Sequence, residues 1–262
     1  MPSAKTRDAR RMEVSRIGDH ASADRRRTAW RSRYVLLGAV TLVAAASLIV
    51  WRFWDGRGDV IKPDGGPVVT VIDFGRSFPL DPLPSGWKHR KFWTRTPMTM
   101  AFAKDGVPSM RFETHDSASM LFRHVDIDLA AYPMLAWRWY IELPIRSALD
   151  ERTREGDDHP ARLFLRFLTD RGDKRAMEVI WGNRLKAGDF KYIGSFPHFV
   201  ADGGDDRVGR WLDEKIDLAR VYAEIWKDAT PAYLVDVGVF CHSDDTHSAS
   251  ISYFAYVRLE QR

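Results

Sequence analysis

Alternation between apolar and other side chains, repeated in segment after segment, most constrains how this chain can fold. In 134–142, with sequence MLAWRWYIE, the apolar residues Leu135, Trp137, Trp139 and Ile141 occupy every second position. Successive side chains of a β-strand point to opposite faces, so this period of two predicts a strand with one buried face. Strands are predicted in the same way at 68–74, 99–103, 107–113, 119–125, 162–169, 175–181, 232–241 and 251–259.

One segment has helical periodicity instead. In 213–226, apolar residues such as Leu218, Val221 and Tyr222 recur at the three- and four-residue spacing of an amphipathic helix. Many short strands separated by turn residues, with a single helix, are typical of two antiparallel sheets packed face to face. We therefore expect a mostly β protein, an antiparallel β-sandwich of the jelly-roll type with one helix.

An apolar stretch near the N-terminus predicts a single transmembrane helix. Residues 34–51 contain no charged side chain and would be roughly 27 Å long as a helix, close to the hydrocarbon thickness of a bilayer. Five arginines crowd the preceding flank, whereas the following flank is balanced in charge. By the positive-inside rule, the N-terminus lies in the cytoplasm and the rest of the chain across the membrane. A cleavable signal peptide is the alternative, and it leads to the same compartment.

The chain is predicted to have four parts. Residues 1–33 form a disordered basic cytoplasmic tail, 34–54 a single-pass transmembrane signal-anchor, and 55–67 a linker rich in Gly, Pro and Asp. Residues 68–262 form the β-sandwich domain. These predictions correspond to a protein of the bacterial inner membrane whose C-terminal domain is periplasmic.

The positive net charge belongs to the tail. Ten Lys/Arg and four acidic residues fall in 1–33, which leaves 30 basic and 32 acidic residues in the remainder of the chain. The domain therefore lacks the basic excess of a nucleic-acid-binding protein, and we expect no nucleic-acid partner.

Two acidic clusters are candidates for a binding site. Asp157 and Asp158 precede one predicted strand, and Asp244 and Asp245 follow another. Carboxylates at loop ends are ligands that calcium prefers, so these four residues are the predicted calcium site if the two loops meet. Paired carboxylates also bind sugar hydroxyls or act as acid and base in glycoside cleavage. Ordinary turn aspartates are the remaining interpretation.

Polar side chains lie opposite the apolar side of several predicted strands. Arg138 and Tyr140 belong to one strand, and Arg162 and Arg166 to another. Arginine forks beside tyrosine rings suit an acidic or polyhydroxylated ligand, whereas a solvated sheet face with cross-strand ion pairs is the alternative. The predicted ligand-binding residues are Arg138, Tyr140, Asp157, Asp158, Arg162, Arg166, Asp244 and Asp245.

Signatures of common catalytic sites are absent from the sequence. It contains no G-x-S-x-G elbow, no H-E-x-x-H motif, no P-loop and no G-x-G-x-x-G loop. No catalytic residue is therefore predicted.

A run of basic and aromatic residues, WKHRKFWTR, occupies 87–95. Such interleaving can stack on sugars or rest on a membrane surface. We interpret this run as a loop at the edge of the sandwich, with a glycan or lipid headgroup contact as the alternative.

Four blocks of sequence resemble a known family: LAWRWYIELP at 135–144, EGDDHPARLFLRF at 155–167, VIWGNRLKAG at 179–188 and VGVFCHSDDTHS at 237–248. From about residue 87 to its C-terminus, the chain resembles the bacterial envelope proteins called domain of unknown function 3047. The resemblance implies a secreted or membrane-anchored β-sandwich of the galactose-binding or carbohydrate-module type. It implies no particular activity.

Taken together, the patterns favour a membrane-anchored periplasmic binding module for a glycan or another envelope polymer, without catalysis. A glycan-cleaving hydrolase or lyase on the same scaffold is one alternative. It would require two carboxyl groups roughly 5–9.5 Å apart across an open cleft. A structural envelope component that docks another protein is the second alternative, and it predicts an exposed apolar patch.

Overall fold

The computed structural model describes residues 59–92, 103–227 and 231–262. Outside this range lie the predicted tail, the signal-anchor, the first residues of the linker, the last three residues of the 87–95 run and all but the last residue of the strand predicted at 99–103. Within it, no helix is both long and apolar enough to cross a membrane.

The elements are β1 (Val68–Asp73), β2 (Trp87–Lys91), β3 (Met110–His115), β4 (Ala118–Asp128), β5 (Met134–Leu143), β6 (Arg162–Thr169), β7 (Lys174–Gly182), β8 (Phe190–Ile193), β9 (Phe196–Gly203), a 3₁₀ turn (Asp205–Arg207), β10 (Trp211–Asp217), α1 (Leu218–Trp226), β11 (Ala232–His242) and β12 (Ala249–Glu260).

The strands form two sheets, so the prediction of a mostly β, sandwich-like fold with one helix is confirmed. In the five-stranded sheet, β12 pairs with β5 along one edge and with β1 and β3 along the other, and β10 lies beyond β5. The seven-stranded sheet has the order β2-β4-β11-β6-β7-β9-β8. The expectation of antiparallel pairing is wrong at one described pair, because β7 and β9 run parallel.

The core lies where the predicted apolar faces meet. In β5 and β6 the alternating apolar side chains are fully buried within one cluster that both sheets share. Trp139 of β5 packs edge-to-face against Trp181 of β7, with ring centroids 6.0 Å apart. Such aromatic contacts across the interior hold the two sheets together and leave the opposite face of each sheet for other contacts.

The helix predicted over 213–226 is wrong in its first part. Trp211–Asp217 pairs with β5 as strand β10, and α1 begins only at Leu218. The Asp217 carboxylate accepts a hydrogen bond of 2.9 Å from the backbone N–H of Arg220, which caps the helix at this point. Sheet pairing before the cap therefore overrides the helical periodicity of the sequence.

Several strands arise where none was predicted. The run at 87–95, predicted to be a loop, forms strand β2 over its first five residues, which pair with β4. Trp87 of this strand stacks on Phe74 with ring centroids 5.4 Å apart. Strands β8 and β9 form a hairpin around Gly194, which has a positive φ of 62°. Pro197 inside β9 argues against a strand in the sequence, which explains why the hairpin was missed. This hairpin brings Lys191 onto the sheet.

Candidate functional site

A buried ionic cluster lies on the outer face of the seven-stranded sheet, the face opposite the core. Arg162 of β6 points to this face because its neighbour Leu163 points inward. Glu178 of β7 and His198 of β9 are in register on the adjacent strands. The cluster is completed by two loops, and its members are Asp157, Asp158, His159, Arg162, Glu178, Lys191, His198, His242 and Asp244.

Arg162 occupies the centre of the cluster and is only 2% exposed. Its guanidinium donates to Glu178 Oε2 at 2.7 Å and to the backbone carbonyl of Asp157. Burial lowers the pKa of Arg162, but the carboxylates of Asp157 and Glu178 outweigh it and leave that pKa raised. Burial raises the pKa of Glu178, and Arg162 reverses this effect and lowers it to about 2. Arg162, Asp157 and Glu178 are therefore all charged at neutral pH.

Lys191 uses all three of its donors inside the cluster. Its ammonium lies 2.5 Å from the carbonyl oxygen of Glu151, 2.5 Å from Asp157 Oδ1 and 2.7 Å from His159 Nε2. His159 Nδ1 faces the carbonyl oxygen of Trp181 at 2.7 Å, so this nitrogen carries the proton and Nε2 accepts from Lys191. Burial and the charge of Lys191 lower the pKa of His159 to about 3, which keeps the ring neutral.

Asp157 is held as a carboxylate by this arrangement. Burial alone would raise its pKa, but the charge of Arg162 holds the pKa well below its usual range. His198 donates from Nδ1 to the carbonyl oxygen of Phe196 at 3.1 Å, and its Nε2 lies 3.4 Å from Glu178 Oε2. Asp157 thus joins the loop before β6 to strands β8 and β9.

Asp158 joins the same loop to the loop that follows β11. Its Oδ2 accepts from the backbone N–H of Thr246 at 2.6 Å and from the Thr246 hydroxyl at 2.5 Å. His242 Nδ1 lies 3.0 Å from Asp158 Oδ1, and His242 Nε2 lies 2.6 Å from Asp244 Oδ1. Burial lowers the pKa of His242, but these two carboxylates raise it to about 10. His242 therefore lies between two carboxylates that favour its imidazolium form, and the Arg162 guanidinium, 2.9 Å from Nδ1, opposes them.

The structure brings most of the predicted site residues together. Asp157 and Asp158 meet Asp244 and Asp245 around His242, whose Nε2 lies 3.7 Å from Asp245 Oδ2. Arg166 lies on the same outer face, further along β6, where it pairs with Asp236. Asp236 is fully buried and also lies 2.6 Å from His124 Nδ1.

Two of the predicted site residues lie elsewhere. Arg138 and Tyr140 belong to β5, on the outer face of the five-stranded sheet. Arg138 lies 3.4 Å from Asp213 in a cross-strand ion pair, and Tyr140 packs against Trp211. The predicted polar face is therefore divided between the two outer faces of the sandwich.

Several members of the cluster were not among the predicted site residues: His159, Glu178, Lys191, His198 and His242. Two of them had a signal in the sequence, since His159 follows Asp158 directly and His242 precedes the Asp244–Asp245 pair by two positions. Lys191 and His198 had none, because they reach the cluster through the hairpin that the sequence did not predict.

The carboxylates of the cluster fit the predicted calcium poorly. Asp158, His242 and Asp244 place ligand atoms within 4.8 Å of one another, but one of the three is a histidine nitrogen. Calcium requires about six to eight oxygen ligands. The four carboxylates of the cluster already face three cations of the protein: Arg162, Lys191 and His242. An added cation would have to displace one of these contacts.

Beside the cluster lies an open cleft of about 370 Å³. Its lining comes from the first residues of the β5–β6 loop (144–148), from the end of β7 with the first residues of the β7–β8 loop (181, 183 and 184), and from Gly204 and Asp205 at the start of the 3₁₀ turn. The cluster and Glu151 position its walls. Glu151 accepts from the backbone N–H groups of Asn183, Arg184 and Leu185 at 2.5–2.9 Å, and the Asn183 amide donates to the Asp158 carbonyl at 2.7 Å.

An aromatic stack borders the cluster on the other side. Phe92 and Phe240 are stacked with centroids 5.1 Å apart, and Phe240 stacks in turn on His242. The Arg90 guanidinium lies over Phe92 at 4.8 Å, and Arg162 lies over Phe240 at 5.2 Å. Phe92, which directly follows the edge strand β2, therefore packs against the cluster, whereas Trp87 packs on Phe74.

The fold and the site together define a two-sheet β-sandwich with a buried ionic cluster beneath one end of its loops. The chain belongs to the family described as "Protein of unknown function (DUF3047)", whose profile matches residues 85–258. This match confirms the resemblance seen in the sequence blocks. A search of curated protein sequences finds no significant match.

Solved structures with some similarity include several carbohydrate-related proteins. One is a family 30 carbohydrate-binding module of a cellulosomal cellulase of Clostridium thermocellum, with 8% identity over 66% of this chain and 86% of that chain, at a TM-score of 0.35. Another is the carbohydrate recognition domain of Emp47p, with 9% identity over 76% and 99%, at 0.40. A third is the xyloglucanase domain of NopAA from Sinorhizobium fredii, with 8% identity over 75% and 100%, at 0.34. These values are too low for fold or function to be carried over to this chain.

Proposed function

We propose that the 68–262 domain binds a glycan or another hydroxylated polymer of the cell envelope, without catalysis. The binding site is the loop end of the sandwich, which we define as the end where the β5–β6, β7–β8 and β11–β12 loops meet. One observation carries the proposal: the buried ionic cluster, together with Glu151, holds the two loops that line the open cleft. Pre-ordered loops bind a flexible polymer at a smaller entropic cost.

Stability alone does not account for this cluster. Taking charged groups out of water is costly, and buried ion pairs are often replaceable by apolar side chains with no loss of stability. Here Arg162, Lys191 and Asp158 are all buried on a sheet face outside the main core. Groups with strongly shifted pKa values concentrate at functional sites, so this cluster is better explained by the ordering of a binding site.

The charges of the cluster argue against glycoside cleavage there. A glycosidase requires a carboxylic acid that is still protonated near neutral pH. Asp158 and Glu178 instead have pKa values lowered to about 2, by His242 and Arg162 acting against burial. Glu214 does have a pKa raised to about 7, by burial and by its hydrogen bond to Asp202. These two carboxyl groups touch each other, which leaves no space for a sugar between them.

We further propose that residues 34–54 anchor the chain in the bacterial inner membrane, with the domain in the periplasm. The support is the uncharged stretch 34–51 and the arginines that precede it. The jelly-roll or galactose-binding-like type of sandwich is likewise part of the proposal.

The proposal is tested by filling the cleft. Ala148 is exposed and lines the cleft, so Ala148→Trp blocks it without touching the cluster. Ala187 is exposed in the β7–β8 loop away from the cleft lining, and Ala187→Trp is the matched control. The full chain in mild detergent is screened against a glycan array and peptidoglycan fragments. We expect binding by the wild type and the control, and at least about tenfold weaker binding by Ala148→Trp. Equal binding by both variants, or no binding by the wild type, would contradict the proposal.

A further inference from the structure

The cleft contains a positive charge that no acidic side chain of the described residues balances. Arg146 and Arg184 both line it. Arg146 donates to both carboxylate oxygens of Asp205 at 2.7 Å, so its charge is matched. Arg184 donates instead to the backbone carbonyls of Ser147 and Ala148, the latter at 3.5 Å, and has no acidic partner among the residues that the structure describes. These carbonyl contacts hold the Arg184 guanidinium in place at the cleft while leaving its charge available.

Two polar atoms of cleft-lining residues are buried without a hydrogen-bond partner in the described part of the chain. One is the indole N–H of Trp181, a residue that is fully buried, and the other is the side-chain oxygen of Asn183. Buried polar atoms without a partner cost free energy and are uncommon in folded proteins. The Trp181 N–H requires an acceptor and the Asn183 oxygen requires a donor. A hydroxyl group supplies both.

We propose that the cleft binds an acidic sugar residue, a unit that carries a carboxylate together with several hydroxyl groups. The carboxylate pairs with the Arg184 guanidinium, and the hydroxyl groups complete the hydrogen bonding of Trp181 and Asn183. Arginine matches a carboxylate through two parallel hydrogen bonds, which makes such a contact both strong and specific. The cleft volume of about 370 Å³ falls within the range of roughly 300–1,000 Å³ that is usual for small-molecule sites. This inference rests on the proposed binding function and names the class of ligand.

The test compares acidic with neutral ligands. The full chain in mild detergent is titrated by calorimetry with oligosaccharides of a hexuronic acid and with the corresponding neutral hexose oligosaccharides of equal length. We expect the acidic series to bind at least about tenfold more tightly than the neutral series. We expect Arg184→Gln to weaken binding of the acidic series at least about tenfold and so to remove this preference.

Two control variants separate the effect of Arg184 from a general loss of positive charge. Arg146→Gln changes the other arginine of the cleft, whose charge Asp205 already matches, and it should lower the affinity for the acidic series by less than Arg184→Gln does. Arg171→Gln changes an exposed arginine in the turn between β6 and β7, at the opposite end of β7, and it should have no effect. Thermal unfolding of each variant verifies that it is folded.

The possible results separate the inference from the proposed function. Equal binding of both series overturns the inference and leaves the proposed function intact. A preference for the acidic series that survives Arg184→Gln also overturns the inference. If neither series binds and the glycan screen is empty as well, the proposed function fails, and the inference fails with it.

Discussion

Thr246 donates two hydrogen bonds to one oxygen of Asp158, from its backbone N–H at 2.6 Å and from its hydroxyl at 2.5 Å, across 88 residues of sequence. Asp158 is fully buried, so these bonds form away from solvent and stabilise its charge. The contact joins the β11–β12 loop to the β5–β6 loop. The loop end of the sandwich is therefore held by electrostatics and hydrogen bonds in addition to its apolar core.

Removing Arg162 should be strongly destabilising, because it leaves the buried carboxylate of Glu178 without its cation. For Arg162→Met we expect a loss of about 3–5 kcal/mol in the free energy of unfolding, measured by urea titration of the full chain in detergent. The double variant Arg162→Met with Glu178→Met should recover part of this loss, because the unpaired charge is gone. A double variant no more stable than the single one would contradict the assigned pairing.

His242 should make the stability of the domain dependent on pH above neutrality. Its pKa is raised to about 10 in the folded chain from an ordinary value of 6.5, because Asp158 and Asp244 outweigh the effect of burial. A raised pKa stabilises the fold fully below pH 6.5, and the contribution is lost as the pH rises toward 10. We therefore expect wild-type urea midpoints to fall over this range more steeply than those of His242→Gln.

The control for this measurement is His115→Gln, which changes an exposed histidine at the end of β3. It should retain the wild-type dependence on pH. Parallel curves for wild type and His242→Gln would show that His242 is not held as an imidazolium.

Glu214 should make the stability of the domain dependent on pH in a second range, below neutrality. Burial and its hydrogen bond to Asp202 raise its pKa from 4.5 to about 7. Between these values the folded chain holds a proton that the unfolded chain releases, so stability falls as the pH rises from 4.5 to 7. Glu214→Gln should lose this slope, as followed by the melting temperature, whereas the exposed Glu224→Gln should keep it. A slope that survives Glu214→Gln would contradict the assignment.

Calcium should leave the stability of the domain unchanged. The carboxylates Asp157, Asp158 and Asp244 already contact Lys191 or His242, so millimolar calcium has no free set of oxygen ligands to bind. The check is the melting temperature of the full chain with added calcium and with a chelator. A rise with calcium that Asp158→Asn abolishes would instead support the calcium site predicted from the acidic pairs.

The sequence was sufficient to predict the strands whose apolar and polar residues alternate regularly. In β6 the apolar side chains Leu163, Leu165 and Phe167 are all fully buried, as their period of two predicts. The hairpin of β8 and β9 escaped prediction because its strands are short and contain a proline, and β10 escaped because its residues also fit a helical period. Local periodicity cannot reveal which of two competing patterns tertiary pairing will select.

The candidate site was harder to predict from the sequence than the fold. Asp157 and Asp158 stood out as a pair, but their meeting with Asp244 depends on the pairing of β6 with β11, which is a long-range property of the sheet. The burial of Arg162 was also unexpected, since an arginine opposite the core was interpreted as facing a ligand or solvent. Its burial results from the β5–β6 loop and the β8–β9 hairpin, whose positions the sequence does not encode locally.

The most direct test of the central claim is amide hydrogen exchange of the full chain, with and without the tightest-binding oligosaccharide from the glycan screen. If the loop end binds the ligand, protection should increase at 144–148 and 183–184, which line the cleft. Exchange at β10 and at the outer face of β5 should stay the same. Protection confined to β5 and β10, around Arg138 and Tyr140, would contradict the account and move the binding site to the five-stranded sheet.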